Sequence, residues 1–377
     1  MRILFLSADY PFYENWVYSQ HPGLELKSYR EQEKTIEDHL FAIFNLSSKH
    51  MKRLGHDAWD VHMNYETLQK TWAKESGVAW RKWSKSKLVM RRGVIPWVRT
   101  TRHSDWFEQI LKAQLQHFSP DIVYIHDLHC IPPDLLSALR PSIKRLVGQI
   151  ASPVPADLPY ELFDLVLSSL PNLVAHFRSK GVNAELLRLA FERDHLRHVP
   201  ECQKDIGVSF IGTLGGTHSA RTELLGYLAE RVPLQCWGLG AHQLSDSDPL
   251  KKCHRGMAWG KDMYQILRRS KLTLNIHLDM AGPHANNMRL YESTGVGAPL
   301  VTDFKEDLHE IFAPDEEVIS FRDKEDCLEK IRFYLAHDAE REAIGHAGQQ
   351  RTLRDHTYDT RMADLSRLLQ RHLPIGR

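Results

Sequence analysis

The chain has 377 residues, 42% of them hydrophobic and 26% charged, and a formal net charge of +1. That length favours two domains, each able to bury its own core, and the composition excludes a disordered or fibrous chain. Five cysteines, none spaced as C-x-x-C, offer neither a disulfide framework nor a zinc knuckle and fit a reducing cytoplasm.

The apolar run Ile3-Leu4-Phe5-Leu6 is too short for a signal peptide and reads as a buried first strand. Leu40, Phe44, Met51 and Leu54 fall near helical spacing, with Gly55 behind them as a C-cap, so 31–54 reads as a crossover helix. Further strands are expected at 58–63, 121–126, 145–150, 164–168 and 184–189. Short apolar runs alternating with helical patterns signal a parallel sheet wrapped by helices. A charged stretch through Val199-Pro200-Glu201 reads as a linker, after which the alternation restarts. The second series has strands at 206–211, 233–237, 272–277, 299–302 and 318–321, and helices near 219–231, 285–294, 324–337 and 339–352. In 359–372, Met362, Leu365 and Leu369 share a helical face that is expected to return to the first lobe. The fold class is therefore α/β: two Rossmann-like, doubly wound lobes, 1–195 and 196–358, facing a cleft, with 359–377 packing back. No run approaches the ~20 apolar residues of a membrane span.

Ligands of open parallel sheets sit outside the carboxyl ends of the strands, so the residues just after each strand are informative. Asp9 follows the first strand. Pro120-Asp-Ile-Val-Tyr-Ile-His126-Asp127-Leu-His129 ends a strand in an ionisable cluster, which reads either as a site or as a capped strand end with solvated imidazoles. Consecutive loop residues of this kind rarely share one metal. Phe210-Ile-Gly212-Thr-Leu-Gly215-Gly216-Thr217 leads through a glycine turn into a helix carrying Arg221, a pattern suited to an anion although it is no P-loop. Asn275 to Pro299 runs from a strand through Gly282-Pro283-His284 into a helix on which Arg289 and Glu292 lie one turn apart. Free helix-start amides with Arg289 suit a diphosphate, and a carboxylate one turn deeper can accept both hydroxyls of a ribose. Asp246-Ser-Asp248 has the form of a metal-binding D-x-D, but it lies in a polar loop that follows no strand; no metal site is expected.

The run Asn287-x-Arg289-x-x-Glu292, Gly297-x-Pro299, Leu308-x-Glu310-Ile-Phe, Glu316-Glu-Val and 351–358 resembles the C-terminal lobe of CgeB-type glycosyltransferases. These are similar to the glycogen-synthase-like branch of GT-B enzymes, and Pro120–His129 resembles that branch's P-D-x-V-H-A-H-D strand end. The resemblance implies a GT-B fold and a metal-independent transfer of sugar from a nucleotide-sugar to an acceptor hydroxyl, with no cofactor. It makes Glu292 the ribose ligand and places Gly215, Gly216, Arg221, Gly282, His284, Asn287 and Arg289 around the diphosphate. Met257 and Trp259 fall in the loop that meets the base, where Trp259 reads alternatively as a core residue. His126 or Asp127 would position the sugar or take the acceptor proton, with Asp9, at the end of the first strand, a reserve candidate for the base. The sequence departs from the family pattern at His284, where an acid is usual, and at Gly226, where a Lys is usual.

Between Lys70 and Arg102 stand ten Lys/Arg against one acid, Glu75, together with Trp72, Trp80, Trp83 and Trp97. This window suits an anionic or lipid-linked acceptor or an acidic membrane surface; the alternative is a helical insertion with its tryptophans inward and its lysines solvated. Nucleic acid is disfavoured because no recognition motif accompanies the charge. The expected partners are a nucleotide-sugar and a glycan, lipid-linked or protein acceptor, in the cytoplasm or at the inner face of its membrane. The rival readings are a nucleotide-sugar epimerase, which needs no acceptor, and a membrane- or nucleic-acid-docking protein with an inactive donor site.

Overall fold

In this computed structural model, residues 1–41, 44–91, 95–214 and 219–374 are described. β1 (Arg2–Ser7) puts Ile3 and Phe5 in one apolar cluster and Leu4 and Leu6 in another. The period-two alternation of a strand buried on both faces thus explains the unbroken hydrophobic run. β2 (Asp57–His62) follows, then a ribbon of β3 (Lys82–Arg91) and β4 (Ile95–Ser104), then β5 (Ile122–Ile125), β6 (Arg145–Gln149), β7 (Leu165–Ser168) and β8 (Ala184–Leu186). The first sheet has the order β2-β1-β5-β6-β7-β8, all parallel.

The second sheet is built from β9 (Ile206–Ile211), β10 (Leu234–Trp237), β11 (Ser270–Asn275), β12 (Leu300–Asp303) and β13 (Ile319–Phe321), in the parallel order β10-β9-β11-β12-β13. Its strands also divide their side chains between two apolar clusters, with Val208 and Phe210 in one and Ile206 and Ile211 in the other. Chain direction across each sheet reverses beside the first strand of the lobe, between β1 and β5 and between β9 and β11. The two crevices so formed are the switch points where α/β sheets take ligands. Two such lobes are the GT-B architecture.

The final helix, Tyr358–His372, packs Tyr358, Met362, Leu365 and Leu369 with Ile3, Phe5 and Tyr124 of the first lobe. The outgoing and returning chains lie side by side, with Phe191 N–H donating to His356 O (2.8 Å) and Tyr358 N–H donating to Phe191 O (3.0 Å). A Cβ at Gly295 would stand 2.4 Å from the Phe191 ring, so only glycine fits where this crossing meets the second lobe.

Two expectations are corrected. The helix expected over 31–54 is two helices, Tyr29–Glu37 and Leu46–Arg53, because Leu40 and Asn45 adopt left-handed φ values of 57° that end any helical ladder. The apolar periodicity spans the break because both pieces bury residues: Ile36 in the first, Leu46 and Met51 in the second. The alternative of a helical insertion also fails in part. Helix Glu66–Glu75 buries Trp72, but 82–91 and 95–104 form a two-stranded antiparallel ribbon that joins neither sheet. Among the described residues no helix is long and apolar enough to cross a membrane.

Candidate active site

Ionisable residues stand at the ends of three strands in the first lobe, β1, β2 and β5. Asp9, just past β1, is clamped by Asn64, whose Oδ1 accepts from Asp9 N–H (3.0 Å) and whose Nδ2 donates to Asp9 O (2.6 Å). The Asp9 Oδ2 lies 2.9 Å from Nδ1 of His62, the last residue of β2. His126, just past β5, stacks on Phe5 and places Nε2 3.1 Å from Ser47 Oγ. Burial pushes its pKa down to about 4, so the ring is neutral at pH 7. Asp127 and His129 are exposed and bonded to each other, Asp127 Oδ1 accepting from His129 N–H (3.0 Å) and lying 2.8 Å from its Nδ1.

In the second lobe, helix Met288–Gly295 starts at the carboxyl end of the sheet. Asn287 caps it by accepting from Leu290 N–H (3.2 Å), while its Nδ2 donates to Asn275 Oδ1 (2.6 Å), which ties the helix start to β11. One turn in, Arg289 Nη1 pairs with Glu292 Oε2 at 2.8 Å, and Glu292 is only 7% exposed. Burial raises the Glu292 carboxyl and Arg289 opposes the rise. Arg289 is itself fixed by Ile211 O (3.3 Å) and Met263 Sδ (3.0 Å), leaving its buried Nε without a partner among the described residues. A buried donor left unmatched is costly, and a ligand oxygen would satisfy it.

Arg221 flanks the same switch point from the other face. Its Nη2 donates to Ile276 O (3.0 Å) and its guanidinium lies 5.9 Å from the Phe210 ring centre. It lines a cavity of about 740 Å³ with His277, Asp303 and Lys305, which Arg289 and Glu292 do not line. Within this cavity His277 Nδ1 is 2.6 Å from Asp303 Oδ1, and its buried Nε2 has no partner among the described residues. The two arginines thus approach the crevice between β9 and β11 from opposite faces of the sheet.

The other expected donor-site residues are placed less directly. His284 Nδ1 is 3.0 Å from Asp307 Oδ2, and Asp307 also accepts from Ala285 N–H (2.6 Å), so this imidazole braces its own loop. Gly282 has φ +58° and its carbonyl accepts from Lys305 Nζ (3.0 Å). Gly215 and Gly216 lie outside the described residues. Met257 is exposed. Trp259 packs against the first lobe, with ring centres 5.0 Å from Phe41, 5.7 Å from Tyr13 and 5.9 Å from Tyr10. That placement makes it a partly buried junction residue. Asp248 caps helix Pro249–Cys253 and Asp246 pairs with Lys251, so the D-x-D residues have structural partners.

The two lobes meet at Tyr10. Desolvation and then the carboxylate of Glu292 raise its phenol, with Asp9 and Asp127 adding and Arg289 opposing. First-lobe acids and the second-lobe ion pair therefore act on one hydroxyl across the cleft. Sequence reasoning singled out neither Tyr10 nor His62. His62 was legible as the ionisable residue at the end of a strand, the same signal that marked His126.

Residues 221–367 match the glycosyl transferase-like family. No curated protein matches the chain by sequence. Among solved structures it is similar to a glycosyltransferase from Rickettsia africae (9% identity, all of both chains covered, TM-score 0.58). HepE from Anabaena in complex with UDP and glucose gives 11% identity over 98% of this chain and 100% of that one, with a TM-score of 0.59. Sucrose-phosphate synthase from Thermosynechococcus elongatus gives 12% identity over 71% and 77%, with a TM-score of 0.51. At these identities the likeness speaks for the fold. The chain is a two-lobed protein of the GT-B fold whose residues 221–367 carry the match to the glycosyl transferase-like family.

Proposed function

We propose that the protein is a glycosyltransferase of the CgeB type that transfers a hexosyl group from a nucleoside-diphosphate sugar to an acceptor hydroxyl without a divalent metal. The observation that carries the reading is the buried Arg289–Glu292 pair at the start of a helix on the second lobe's switch point. Glu292 would accept the ribose hydroxyls. Arg289, Arg221 and the helix-start amides would stabilise negative charge on the departing diphosphate, the role a metal plays elsewhere. The first lobe would bind the acceptor and present it to the sugar at Asp9, His126 and Asp127. The UDP and glucose named with HepE support a UDP-sugar as the first donor to try.

A thermal-shift panel of UDP, GDP, dTDP and ADP, with and without EDTA, on wild type and Glu292→Ala tests this. One nucleotide should stabilise the wild type equally in EDTA and leave the variant unmoved. No shift with any nucleotide overturns the reading. Turnover of the sugar nucleotide to an isomer without acceptor would replace it with an epimerase.

We also assign the basic segment 70–102 to contact with an anionic membrane or a lipid-linked acceptor. Its ten cations and the ribbon that joins neither sheet support this. Co-sedimentation with phosphatidylglycerol vesicles but not phosphatidylcholine vesicles is the expected result, and equal recovery in both excludes it.

A further inference from the structure

Between helix Pro11–Gln20 and helix Glu66–Glu75 the first lobe carries an open groove of about 840 Å³. One wall is Glu14, Asn15 and Tyr18, which share a face of the first helix. The other is the face of the second helix from Glu66 to Glu75, roughly 14 Å long. Its near end adjoins the crevice. The first helix begins just past Asp9 and the second just past Asn64, which holds the Asp9 backbone through both its N–H and its C=O. There Thr67 N–H donates to Glu14 Oε1 (3.2 Å) and joins the two helix starts. The far end lies at Trp80, from which the chain passes into β3 and the ribbon.

The groove is held in shape by one amide. Gln32 is 0% exposed; its Oε1 accepts from Tyr18 O–H (2.6 Å), and its Nε2 donates to Thr71 Oγ1 (3.1 Å) and to Lys27 O (2.8 Å). Both walls and the loop at 25–28 are thus tied to the same buried side chain. At the far end Glu75 Oε1 accepts from Tyr29 N–H (2.8 Å). Walls fixed in advance lose little freedom when a ligand enters.

The lining selects among ligands. The carboxylates of Glu14, Glu25, Glu66 and Glu75 outnumber the ammonium groups of Lys27, Lys70 and Lys74, so a phosphate inside the groove would meet more negative charge than positive. Hydroxyls both donate and accept, and they can be matched by groups of either sign. Asn15, Glu25, Lys27 and Lys74 keep their side chains free of hydrogen bonds and ion pairs among the described residues. The half-buried rings of Tyr18 and Trp80 add apolar faces on which the C–H face of a sugar ring can pack.

We propose that this groove holds an oligosaccharide acceptor of neutral sugars, with its terminal ring at the crevice and the preceding rings along helix Glu66–Glu75 toward Trp80. The proposal rests on the glycosyltransferase reading above and makes the acceptor a chain of sugars, not a lone monosaccharide. The anionic contact assigned above then falls to the ribbon beyond Trp80.

Calorimetry on the whole chain, without donor, tests this with glucose, mannose and N-acetylglucosamine and with the disaccharides and tetrasaccharides of the maltose, cellobiose, mannobiose and chitobiose series. At least one tetrasaccharide should bind about tenfold or more tighter than its monosaccharide, because each added ring buries more surface. Added salt should leave that affinity unmoved. Asn15→Ala and Lys74→Ala, at exposed positions, should each weaken it by about 3- to 10-fold and leave nucleotide-induced thermal shifts as in wild type. Failure of every tetrasaccharide to bind, binding no tighter than the monosaccharide, or full binding by the double variant overturns the groove assignment. Affinity that collapses with salt marks an ionic occupant and overturns it as well. Tetrasaccharide binding by a protein that no nucleotide stabilises supports the groove and overturns the transferase reading.

Discussion

The Nε2 of His50 lies 2.5 Å from Oε2 of Glu192, both side chains 2% exposed, where the chain leaves the first lobe for the second. The other nitrogen of His50 faces Asp359 at 2.8 Å, so one imidazole joins the outgoing crossing to the returning helix. The junction between the lobes is thus held by charge as well as by the Phe191 backbone ladder.

A pH-dependent stability follows. Burial pushes Glu192 up, but the His50 hydrogen bond and charge, with Lys49, outweigh it and hold the carboxyl below its ordinary value. A depressed acid contributes stability above its unfolded pKa and loses it as pH falls through the folded one. Glu192→Gln should therefore cost about 1.5–3 kcal/mol in urea unfolding at pH 7, with the gap to wild type narrowing as the pH falls below 4.

His356 gives the same sign in a higher pH window. Burial pushes its pKa down to about 4, while Nε2 lies 2.9 Å from Ile311 O. Between pH 6.5 and 4 the unfolded chain binds a proton here that the folded chain refuses, so stability falls as pH falls through that window. His356→Gln should flatten the pH dependence of the urea midpoint between pH 6.5 and 5 by up to about one proton. An unchanged slope would remove His356 from the acid response.

Gly260 controls how closely the lobes approach. Its φ is +48°, a Cβ there would stand 1.9 Å from His39 O, and the neighbouring Lys261 N–H donates to that same carbonyl at 2.9 Å. Gly260→Ala should lower the melting temperature and expand the radius of gyration in solution scattering. Gly256→Ala, at φ +95° with nothing within 4 Å of the added Cβ, is the control for backbone strain alone and should leave the radius unchanged.

Glu292→Gln keeps the shape of the side chain and removes its charge. If Glu292 holds a ribose, calorimetry should show nucleoside diphosphate affinity falling by about 1.5–3 kcal/mol, roughly 10- to 150-fold. His126→Asn should leave that affinity unchanged, because His126 belongs to the opposite lobe.

The alternation of apolar runs with amphipathic stretches determined the two parallel sheets, since a strand buried on both faces must be apolar throughout and a parallel pair must be joined by a crossover. The strand-end rule likewise marked Asp9, His126 and the Arg289–Glu292 helix, because local signals such as Gly-Pro turns and i,i+3 spacing are written in neighbouring residues. The left-handed turns at Leu40 and Asn45 interrupted a helix whose apolar period continued across the break, so periodicity alone could not show the division. The seating of Trp259 against Phe41, the bracing of His284 by Asp307 and the pairing of His62 with Asp9 join residues 23 to 218 positions apart. Only the folded chain decides such contacts, because hydrogen-bond and packing energies act over a few ångströms of space and carry no trace of separation along the sequence.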